Sequence, residues 1–239
     1  MILSRAVACA VAAAVMAIGA YAQDQAPVPP PKAPNTIVLF SGKAEDLAAN
    51  WVKRGGDQPA AWKVEGDAMV VGGGDIMTKE EFSDFHLHVE FRCPDMPNAT
   101  GQAKGNSGIG LLGRYEIQVL DSYGIATPGK GDCGAVYDKS APLINACRPP
   151  MVWQTYDIIF RAPRFDANKA MTEKPRVTVI QNGIVVQNNV EIDGMTGIQW
   201  QREKDPAPSG NIVLQDHGNR VEYRNIWLVR LPEKGSDKY

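Results

Sequence analysis

A carboxylate and an amide stand two residues apart in the segment Tyr115-Glu116-Ile117-Gln118-Val119-Leu120-Asp121. Residues two apart on a β-strand point to the same side, so Glu116 and Gln118 share one face while Ile117 and Val119 share the other. A carboxylate can transfer a proton, and an amide can bind a sugar hydroxyl. The pair predicts a polar groove for carbohydrate, with a solvated strand face as the simpler alternative.

The preceding segment adds small polar residues, since Asn106 and Ser107 come shortly before this strand. Laminarinase-type retaining glycosidases carry Glu-Ile-Asp-x-x-Glu on a β-sandwich, and they need two carboxylates about 5–5.5 Å apart. Here Gln118 takes the place of the middle acid and Asp121 takes the last position. Because an amide cannot ionise, the pattern favours a similar architecture and argues against double-displacement chemistry.

A second group of polar residues is Leu214-Gln215-Asp216-His217-Gly218. Gln215 and His217 are predicted to share a strand face. His217 is the one histidine outside the pair His86 and His88, and imidazole can accept or donate a proton near neutral pH. We expect a catalytic role for His217, against the alternative of a histidine held by a backbone carbonyl.

Further along, Arg224 would present a guanidinium that suits a carbonyl, an enolate or a carboxylate. The alternative is an ion pair with Glu222 or Glu90. In the stripe His86-x-His88-x-Glu90-x-Arg92, two histidines could bind a metal ion, but no third ligand can be assigned. We expect the acid and the arginine of this stripe to line the groove. Three aromatic residues could stack on sugar rings, namely Tyr137, Trp153 and Tyr156.

Alternation of apolar and polar residues is the dominant pattern, and it predicts strands with one buried face. Gly66-Asp67 and Asn182-Gly183 are hairpin turn signals. Together these features predict an all-β fold, an antiparallel jelly-roll β-sandwich, with short helices only at Lys43–Ala49 and Lys79–Phe82. The predicted strands are Trp62–Glu65, Ala68–Val71, Phe85–Arg92, Tyr115–Leu120, Thr155–Ala162, Arg176–Gln181, Ile184–Gln187, Asn211–Gln215 and Val221–Leu231.

The N-terminus divides into two segments before the predicted domain. Residues 1–22 have a basic start, an Ala/Val-rich apolar run and Ala20-Tyr21-Ala22, which is typical of a cleaved signal peptide. Residues 23–35 are proline-rich and are predicted to form an extended linker. A single β-sandwich domain is expected over residues 36–235. The protein is therefore expected to be periplasmic or secreted, with no membrane span after cleavage.

Composition excludes several classes of protein. With 25 Lys+Arg against 27 Asp+Glu, the chain has no basic excess for binding nucleic acid, and 44% hydrophobic residues indicate a globular protein. Beyond the signal segment the cysteines are Cys93, Cys133 and Cys147. A disulfide between Cys133 and Cys147 is as well supported as two free thiols, while Cys93 is expected to be free.

Taken together, the motifs resemble those of the 3-keto-disaccharide hydrolase domain, a family often secreted by bacteria. The resemblance runs over about residues 36–232 and implies a concanavalin A-like sandwich that acts on glycosides oxidised at C3. The matching segments are Val38–Lys43, Asn106–Ile109, Tyr115–Asp121, Gly134–Tyr137, Trp153–Ile158, Arg161–Phe165, Asn182-Gly183, Leu214–Gly218 and Arg224–Ile226.

The chemistry implied by this resemblance accounts for the missing carboxylate pair. A ketone at C3 acidifies the hydrogen on C2, so the bond at C1 can break by elimination, and water then adds to the enone. Such a site needs a base, an acid and a group that stabilises the enolate. His217 and Glu116 are the candidates for base and acid, and Arg224 or Arg92 for the enolate.

The remaining candidates would bind substrate. Asn106, Gln118 and Asp121 would hold hydroxyls or a divalent metal ion, and no other cofactor is expected. Two alternatives stay open: a non-catalytic carbohydrate-binding module, and an ordinary endo-glucanase, which Gln118 disfavours. The expected substrate-binding residues are Glu90, Arg92, Asn106, Ser107, Gln118, Asp121, Tyr137, Trp153 and Gln215.

Overall fold

The computed structural model describes residues 26–197 and 205–234, so the predicted signal peptide lies outside the described residues. Within the described part of the chain, none of the helices has the length and apolar character needed to cross a membrane.

Two antiparallel sheets face each other across one apolar core. Sheet I has the strand order β13-β12-β9-β6-β15-β4-β3, with β1 also paired to β15, and sheet II has the order β2-β5-β14-β7-β8. The strands of sheet I are β1 (Thr36–Phe40), β3 (Lys63–Glu65), β4 (Ala68–Val70), β6 (Phe85–Arg92), β9 (Gln154–Arg161), β12 (Arg176–Gln181), β13 (Ile184–Glu191) and β15 (Glu222–Arg230). Those of sheet II are β2 (Trp51–Lys53), β5 (Ile76–Thr78), β7 (Ser107–Leu111), β8 (Tyr115–Val119) and β14 (Val213–Leu214). The predicted all-β jelly-roll sandwich is confirmed.

Four further elements of the described residues lie outside these two sheets. A short helix α1 (Ala44–Asn50) precedes β2, a 3₁₀ turn (Gly101–Ala103) precedes β7, and β10 (Arg164–Phe165) pairs with β11 (Met171–Glu173) as a separate ribbon. The helix predicted at Lys43–Ala49 is confirmed to within one residue. The helix predicted at Lys79–Phe82 is wrong, because Phe82 there forms a β-bridge to Gly210.

Both predicted hairpin turns are present. Gly66 and Asp67 connect β3 to β4, and Asn182 and Gly183 connect β12 to β13. Asn182 and Gly183 have φ values of 53° and 82°. Two successive positive φ values are the mark of a type I′ turn, whose twist matches that of the strands it joins.

Two tyrosine hydroxyls cross the core and join the sheets. Tyr223 of β15 donates to Ser107 Oγ of β7 at 2.7 Å. Tyr156 of β9 donates to the carbonyl oxygen of Gln118 in β8, also at 2.7 Å. Both tyrosines are fully buried, and burial raises the pKa of each above its usual value. These two bonds mark the inner faces of the sheets and fix which residues point outward.

Part of the segment predicted as a linker lies against sheet I. The backbone N–H of Val28 donates to Glu90 Oε1 at 2.8 Å, and its carbonyl oxygen accepts from Asn225 Nδ2 at 2.6 Å and from Trp227 Nε1 at 3.3 Å. Extended, proline-rich backbone has no internal hydrogen bonds, so its amides are available to a partner. This stretch therefore acts as a cover for polar side chains of the sandwich.

Candidate functional site

The polar residues predicted to form one site lie on two opposite surfaces. Tyr223 and Ser107 meet in the interior, and successive strand residues point to opposite sides. Arg224 therefore points out of sheet I, while Gly108 points out of sheet II. We call the outer surface of sheet II the amide face (Asn106, Gly108, Glu116, Gln118 and Gln215) and that of sheet I the ion-pair face (His88, Glu90, Asp157, Arg224 and Trp227).

The amide face is built by three neighbouring strands. Gly108 of β7 is paired with Gln118 of β8, and on its other side its carbonyl oxygen accepts from the backbone N–H of Gln215 at 2.9 Å. Glu116 lies in the next row of β8, opposite Gly110. The structure thus brings together Glu116, Gln118 and Gln215; strand alternation predicted the shared face of the first two, and strand pairing adds Gln215.

Gly108 leaves the space that the Glu116 carboxyl group occupies. A Cβ atom at Gly108 would overlap Glu116 Oε1 and would lie 3.0 Å from the carboxyl carbon. The Glu116 side chain therefore leans over β7 toward the row formed by Gln118 and Gln215. Its backbone is held as well, since its N–H donates to Thr196 Oγ1 at 2.9 Å. Glu116 is 1% exposed, so it is buried and does not lie on a solvated strand face.

Several acceptor oxygens on this face are buried and lack a hydrogen-bond partner among the described residues. They are Asn106 Oδ1, Gln118 Oε1 and Gln215 Oε1. The three side chains are between 1% and 4% exposed. Leaving a buried acceptor unsatisfied costs about 1–3 kcal/mol, so such groups call for an explanation, and a ligand is a common one.

Tyr137 lies beside this face. Its backbone N–H donates to the carbonyl oxygen of Glu116 at 3.0 Å, next to the bridge between Ile117 and Val136. Val136 belongs to the core, so the half-buried Tyr137 points to the same side as Glu116. This position fits the predicted stacking on a sugar ring.

Asp121 is close to the site but not on the face, because β8 ends at Val119. Asp121 Oδ2 forms an ion pair with Lys104 Nζ at 3.0 Å, and its Oδ1 accepts from the backbone N–H of Tyr123 at 3.2 Å. The side chain holds the loop that follows β8, and its carboxylate is already paired with a cation.

His217 lies in an exposed turn beside the amide face. The turn is anchored on both sides, since the backbone N–H of Asp216 donates to Asp75 Oδ1 at 2.9 Å and Asn219 Oδ1 accepts from the backbone N–H of Asn106 at 2.8 Å. The structure therefore brings His217 near the edge of the face but not into its buried row.

Arg224 belongs to the ion-pair face and does not meet Glu116. Its Nε donates to Glu90 Oε2 at 2.8 Å, and its guanidinium carbon lies 4.1 Å from the centre of the Trp153 ring. Arg92 stacks on the same ring at 4.7 Å and pairs with Glu222. Glu90, Arg92, Trp153 and Arg224 therefore lie across the sandwich from the amide face, and a single sugar ring cannot contact both groups.

The charges of the ion-pair face hold one another. Burial alone would raise the pKa of Glu90, but the nearby His88 ring, 3.7 Å away, and hydrogen bonds from Asn225, Arg224 and the Val28 N–H lower it to about 2. Burial would lower the pKa of His88, yet its hydrogen bond to Asp157 and the nearby Glu90 carboxylate raise it above the usual value. The His88 ring also stacks on Trp227 with 4.7 Å between ring centres. Paired and stacked in this way, these groups form a structural network.

Two further candidates point into the interior. Ser107 is fully buried, donates to the carbonyl oxygen of Gln215 at 2.6 Å and accepts from Tyr223. Tyr156 is fully buried and bonded to the backbone of β8, so it cannot stack on a sugar. The sequence analysis placed Ser107 and Tyr156 in the groove. In β7 and β9, however, the positions that they occupy face the core, and the residues next to them in the strand face outward.

No group of three or more His, Cys, Asp or Glu side chains forms a metal site among residues 26–197 and 205–234. His86 and His88 instead both bond Asp157 Oδ1, at 3.1 Å and 2.8 Å. Asp157 lies on the neighbouring strand β9, opposite His88 in register, and is the partner that sequence reasoning did not find.

Among the described residues, Cys93, Cys133 and Cys147 are free thiols. Gln181 Nε2 lies 3.5 Å from Cys133 Sγ and 3.3 Å from Cys147 Sγ, so the two thiols are neighbours. The hydrogen bond with Cys133 and burial both raise the pKa of Cys147. The predicted disulfide stays a prediction, and peptide mass spectrometry without reductant tests it.

Sequence reasoning also missed Gln102, which carries no motif. It lies in the 3₁₀ turn before β7 and bonds to both Asn106 and Gln118. Gly108 was noted only as part of a motif, and the close approach of the Glu116 side chain to it is visible only in the structure.

Comparison with known proteins identifies the family of this chain. Residues 35–229 match the profile of the 3-keto-alpha-glucoside-1,2-lyase-like domain. The chain belongs to this family. Its resemblance to 3-keto-disaccharide hydrolase domains is thereby confirmed, and the family supports a function on carbohydrate. No curated protein shows significant similarity to the chain.

Solved structures agree with this family assignment. A protein of Parabacteroides distasonis ATCC 8503 solved at 2.13 Å, with the provisional name glycosyl hydrolase, is 39% identical, with a TM-score of 0.72 over 87% of this chain and 94% of that one. A second protein of that strain with the same provisional name is 18% identical, with a TM-score of 0.58 over 83% of this chain and 94% of the other, and shows the fold alone.

Proposed function

We propose that this protein cleaves glycosides whose sugar is oxidised at C3, by proton abstraction at C2, elimination at C1 and hydration of the resulting enone. The observation that carries the proposal is a buried carboxylate, Glu116, on a face where the neighbouring position of β8 is the amide Gln118. One carboxylate can act as a base, whereas double displacement needs two.

Glu116 is the proposed base. It takes the proton from C2, the electrons form the C1–C2 double bond, and the C1–O bond breaks with its electrons going to the departing oxygen. That oxygen receives a proton from the protonated Glu116 or from His217, whose turn is anchored to Asn106 through Asn219. Water then adds across the enone and gives the free 3-keto sugar. We assign no residue to the enolate oxygen, because Arg224 and Arg92 lie on the other face.

Turnover of a 3-keto-glucoside by the purified protein tests the proposal. We expect Glu116→Gln to lower kcat by 10²–10⁴-fold, the usual contribution of a general base. Glu222→Gln is the matched control, since this glutamate pairs with Arg92 on the opposite surface and should leave kcat unchanged. Deuterium at C2 of the substrate should slow the wild-type reaction. Full turnover by Glu116→Gln, or release of oligosaccharides from unoxidised β-glucan instead, would contradict the mechanism.

A carbohydrate-binding module is the second candidate, because unsatisfied acceptors on the amide face would serve a binder equally well. A binder gives saturable binding of the 3-keto-glucoside without product. The same assay therefore separates the two functions.

The proposed place of action is the periplasm or the outside of the cell, supported by the N-terminal pattern of residues 1–22. Mass spectrometry of the protein expressed in a bacterial host should give an N-terminus at Gln23. A mature protein that still begins at Met1 in the cytoplasm would contradict export.

A further inference from the structure

Two buried oxygens on the amide face are oriented by a third side chain. Asn106 Oδ1 and Gln118 Oε1 have no hydrogen-bond partner among the described residues, and their side chains are 2% and 1% exposed. An amide can normally reverse its oxygen and nitrogen to satisfy such an atom. Whether Asn106 and Gln118 can reverse in this way depends on the contacts of their amide nitrogens.

The nitrogen of each amide is held by a backbone carbonyl, which can only accept. Asn106 Nδ2 donates to the carbonyl oxygen of Gln102 at 2.7 Å, and Gln118 Nε2 donates to that of Gly131 at 3.2 Å. Reversing either amide would place an oxygen against a carbonyl oxygen. These carbonyls therefore favour one orientation of each amide, with its NH₂ group toward the backbone and its oxygen left over.

Gln102 connects the two amides. Its Oε1 accepts from Asn106 Nδ2 at 3.2 Å and from Gln118 Nε2 at 3.0 Å, and its Nε2 donates to the carbonyl oxygen of Gly131 at 2.8 Å. Because the carbonyl oxygen of Gly131 can only accept, the Gln102 amide is itself fixed with its oxygen toward the amides of Asn106 and Gln118. Both NH₂ groups are thus drawn to one atom, and both carbonyl oxygens are left for another partner.

We propose that Gln102 is a positioning residue that holds Asn106 and Gln118 as a pair of hydrogen-bond acceptors for two hydroxyls of an uncharged sugar ring. The proposal rests on the proposed function, since it takes the amide face as the sugar site, and it adds the chemistry that this subsite recognises.

The atoms left over on the described part of the face support a ligand that donates hydrogen bonds. Asn106 Oδ1 and Gln118 Oε1 are amide oxygens, which can only accept. A hydroxyl donates to such atoms, whereas the carboxylate of a uronic acid would meet oxygen with oxygen. A binding site built to form hydrogen bonds with one ligand group rejects an analogue that cannot form them, because the polar atoms of the site then stay unsatisfied.

Substitutions at Gln102 can test this with little effect on folding, because Gln102 itself is exposed. Gln102→Leu keeps the size but removes the acceptor that holds both amides. Gln102→Glu keeps that acceptor but replaces the donor by an oxygen that faces the Gly131 carbonyl oxygen, where only a donor fits. Thermal unfolding of both variants checks that each remains folded.

Binding is measured by calorimetry in the Glu116→Gln background, so that no ligand is consumed. The probes are methyl glucosides of both anomers, their 3-keto forms and the corresponding methyl glucuronides. We expect glucosides to bind and glucuronides to bind at least tenfold more weakly. Gln102→Leu should raise the Kd of the glucosides about tenfold, the equivalent of one to two hydrogen bonds. Gln102→Glu should recover only part of that loss, because its second oxygen faces the Gly131 carbonyl oxygen.

In enzyme with Glu116 intact, Gln102→Leu should raise KM with kcat nearly unchanged, because the lost contacts bind substrate and transition state alike. Unchanged glucoside affinity in Gln102→Leu or a preference for glucuronides would each overturn the proposal. These binding results do not depend on turnover. Failure of the elimination chemistry would appear separately, as absence of product from the 3-keto-glucoside.

Discussion

The two outer faces of this sandwich both carry buried polar residues, but the hydrogen bonding of those residues differs. On the ion-pair face, Glu90 and Arg224 are 2% and 3% exposed, and each is bound to several partners. On the amide face, Asn106 and Gln118 are equally buried, yet their carbonyl oxygens have no partner among the described residues.

This difference concerns the carboxylate and guanidinium groups on one face and the amide oxygens on the other; His88 Nε2 on the ion-pair face is also buried without a hydrogen-bond partner in the described part of the chain, 3.7 Å from Glu90 Oε1. A charge whose hydrogen bonds are complete stabilises the fold and has nothing left for a ligand, whereas an unsatisfied acceptor costs free energy until something binds. The cover differs as well, since Val28 closes the ion-pair face by bonding to Glu90. Residue type alone made both faces look like a site.

The largest expected effect is on the amide face, from Gly108→Ala. Its Cβ would displace the Glu116 carboxyl group, and misplacing a catalytic group should cost about 10³-fold in kcat, within the range for losing a general base. Steady-state kinetics with a 3-keto-glucoside measures this. Gly72→Ala is the control, because a Cβ there has no heavy atom within 4 Å. Equal activity of both variants would mean that Gly108 does not shape the site.

On the ion-pair face, Glu90→Gln should lower stability and spare activity. Removing one partner of a buried ion pair costs about 3–5 kcal/mol, and we expect about 3 because Arg224 keeps Asp67 as a second partner. Urea unfolding at pH 7 measures the loss. A large fall in kcat at full occupancy, with stability unchanged, would instead make this face part of the catalytic site.

The acid stability of the wild-type protein should also depend on Glu90. Because its folded pKa is lowered to about 2, its contribution to stability is complete above its usual pKa of 4.5 and is lost as pH falls from there toward 2. Unfolding free energies across this window should fall less steeply in Glu90→Gln. Identical slopes for the two proteins would contradict the assigned pKa.

Removal of the cover should have a smaller effect. A chain that begins at Pro30 lacks the Val28 N–H that donates to Glu90, and a hydrogen bond to a charged group contributes about 1.5–3 kcal/mol. We expect a loss of about 2 kcal/mol in urea unfolding, with kcat for a 3-keto-glucoside unchanged. Loss of activity without loss of stability would show that the segment serves the amide face instead.

The smallest expected effect is from Tyr156→Phe. This removes the hydroxyl that donates to the Gln118 carbonyl oxygen across the core, at a cost of about 1 kcal/mol. Substrate affinity should be unchanged, because Tyr156 faces the interior. A raised KM together with unchanged stability would contradict this and place the Tyr156 ring in the sugar site.

Strand positions could be predicted well because alternation is a local property. Arg176–Gln181 was predicted with the bounds observed for β12, and both hairpin turns carry the residues that positive φ requires. The helix expected at Lys79–Phe82 failed because Phe82 pairs with Gly210, far away in the chain. Long-range pairing overrides local propensity, and a single sequence does not show it.

The amino-acid sequence by itself determined the all-β sandwich, the shared face of Glu116 and Gln118, and the family, because each follows from local spacing or from motifs in order. Tertiary structure alone decided that Arg224 lies across the sandwich from Glu116, and that Gln102 orients the amides of Asn106 and Gln118. The physical reason is that alternation tells which side of a strand a residue occupies, but only strand pairing tells which sheet and which partners meet it.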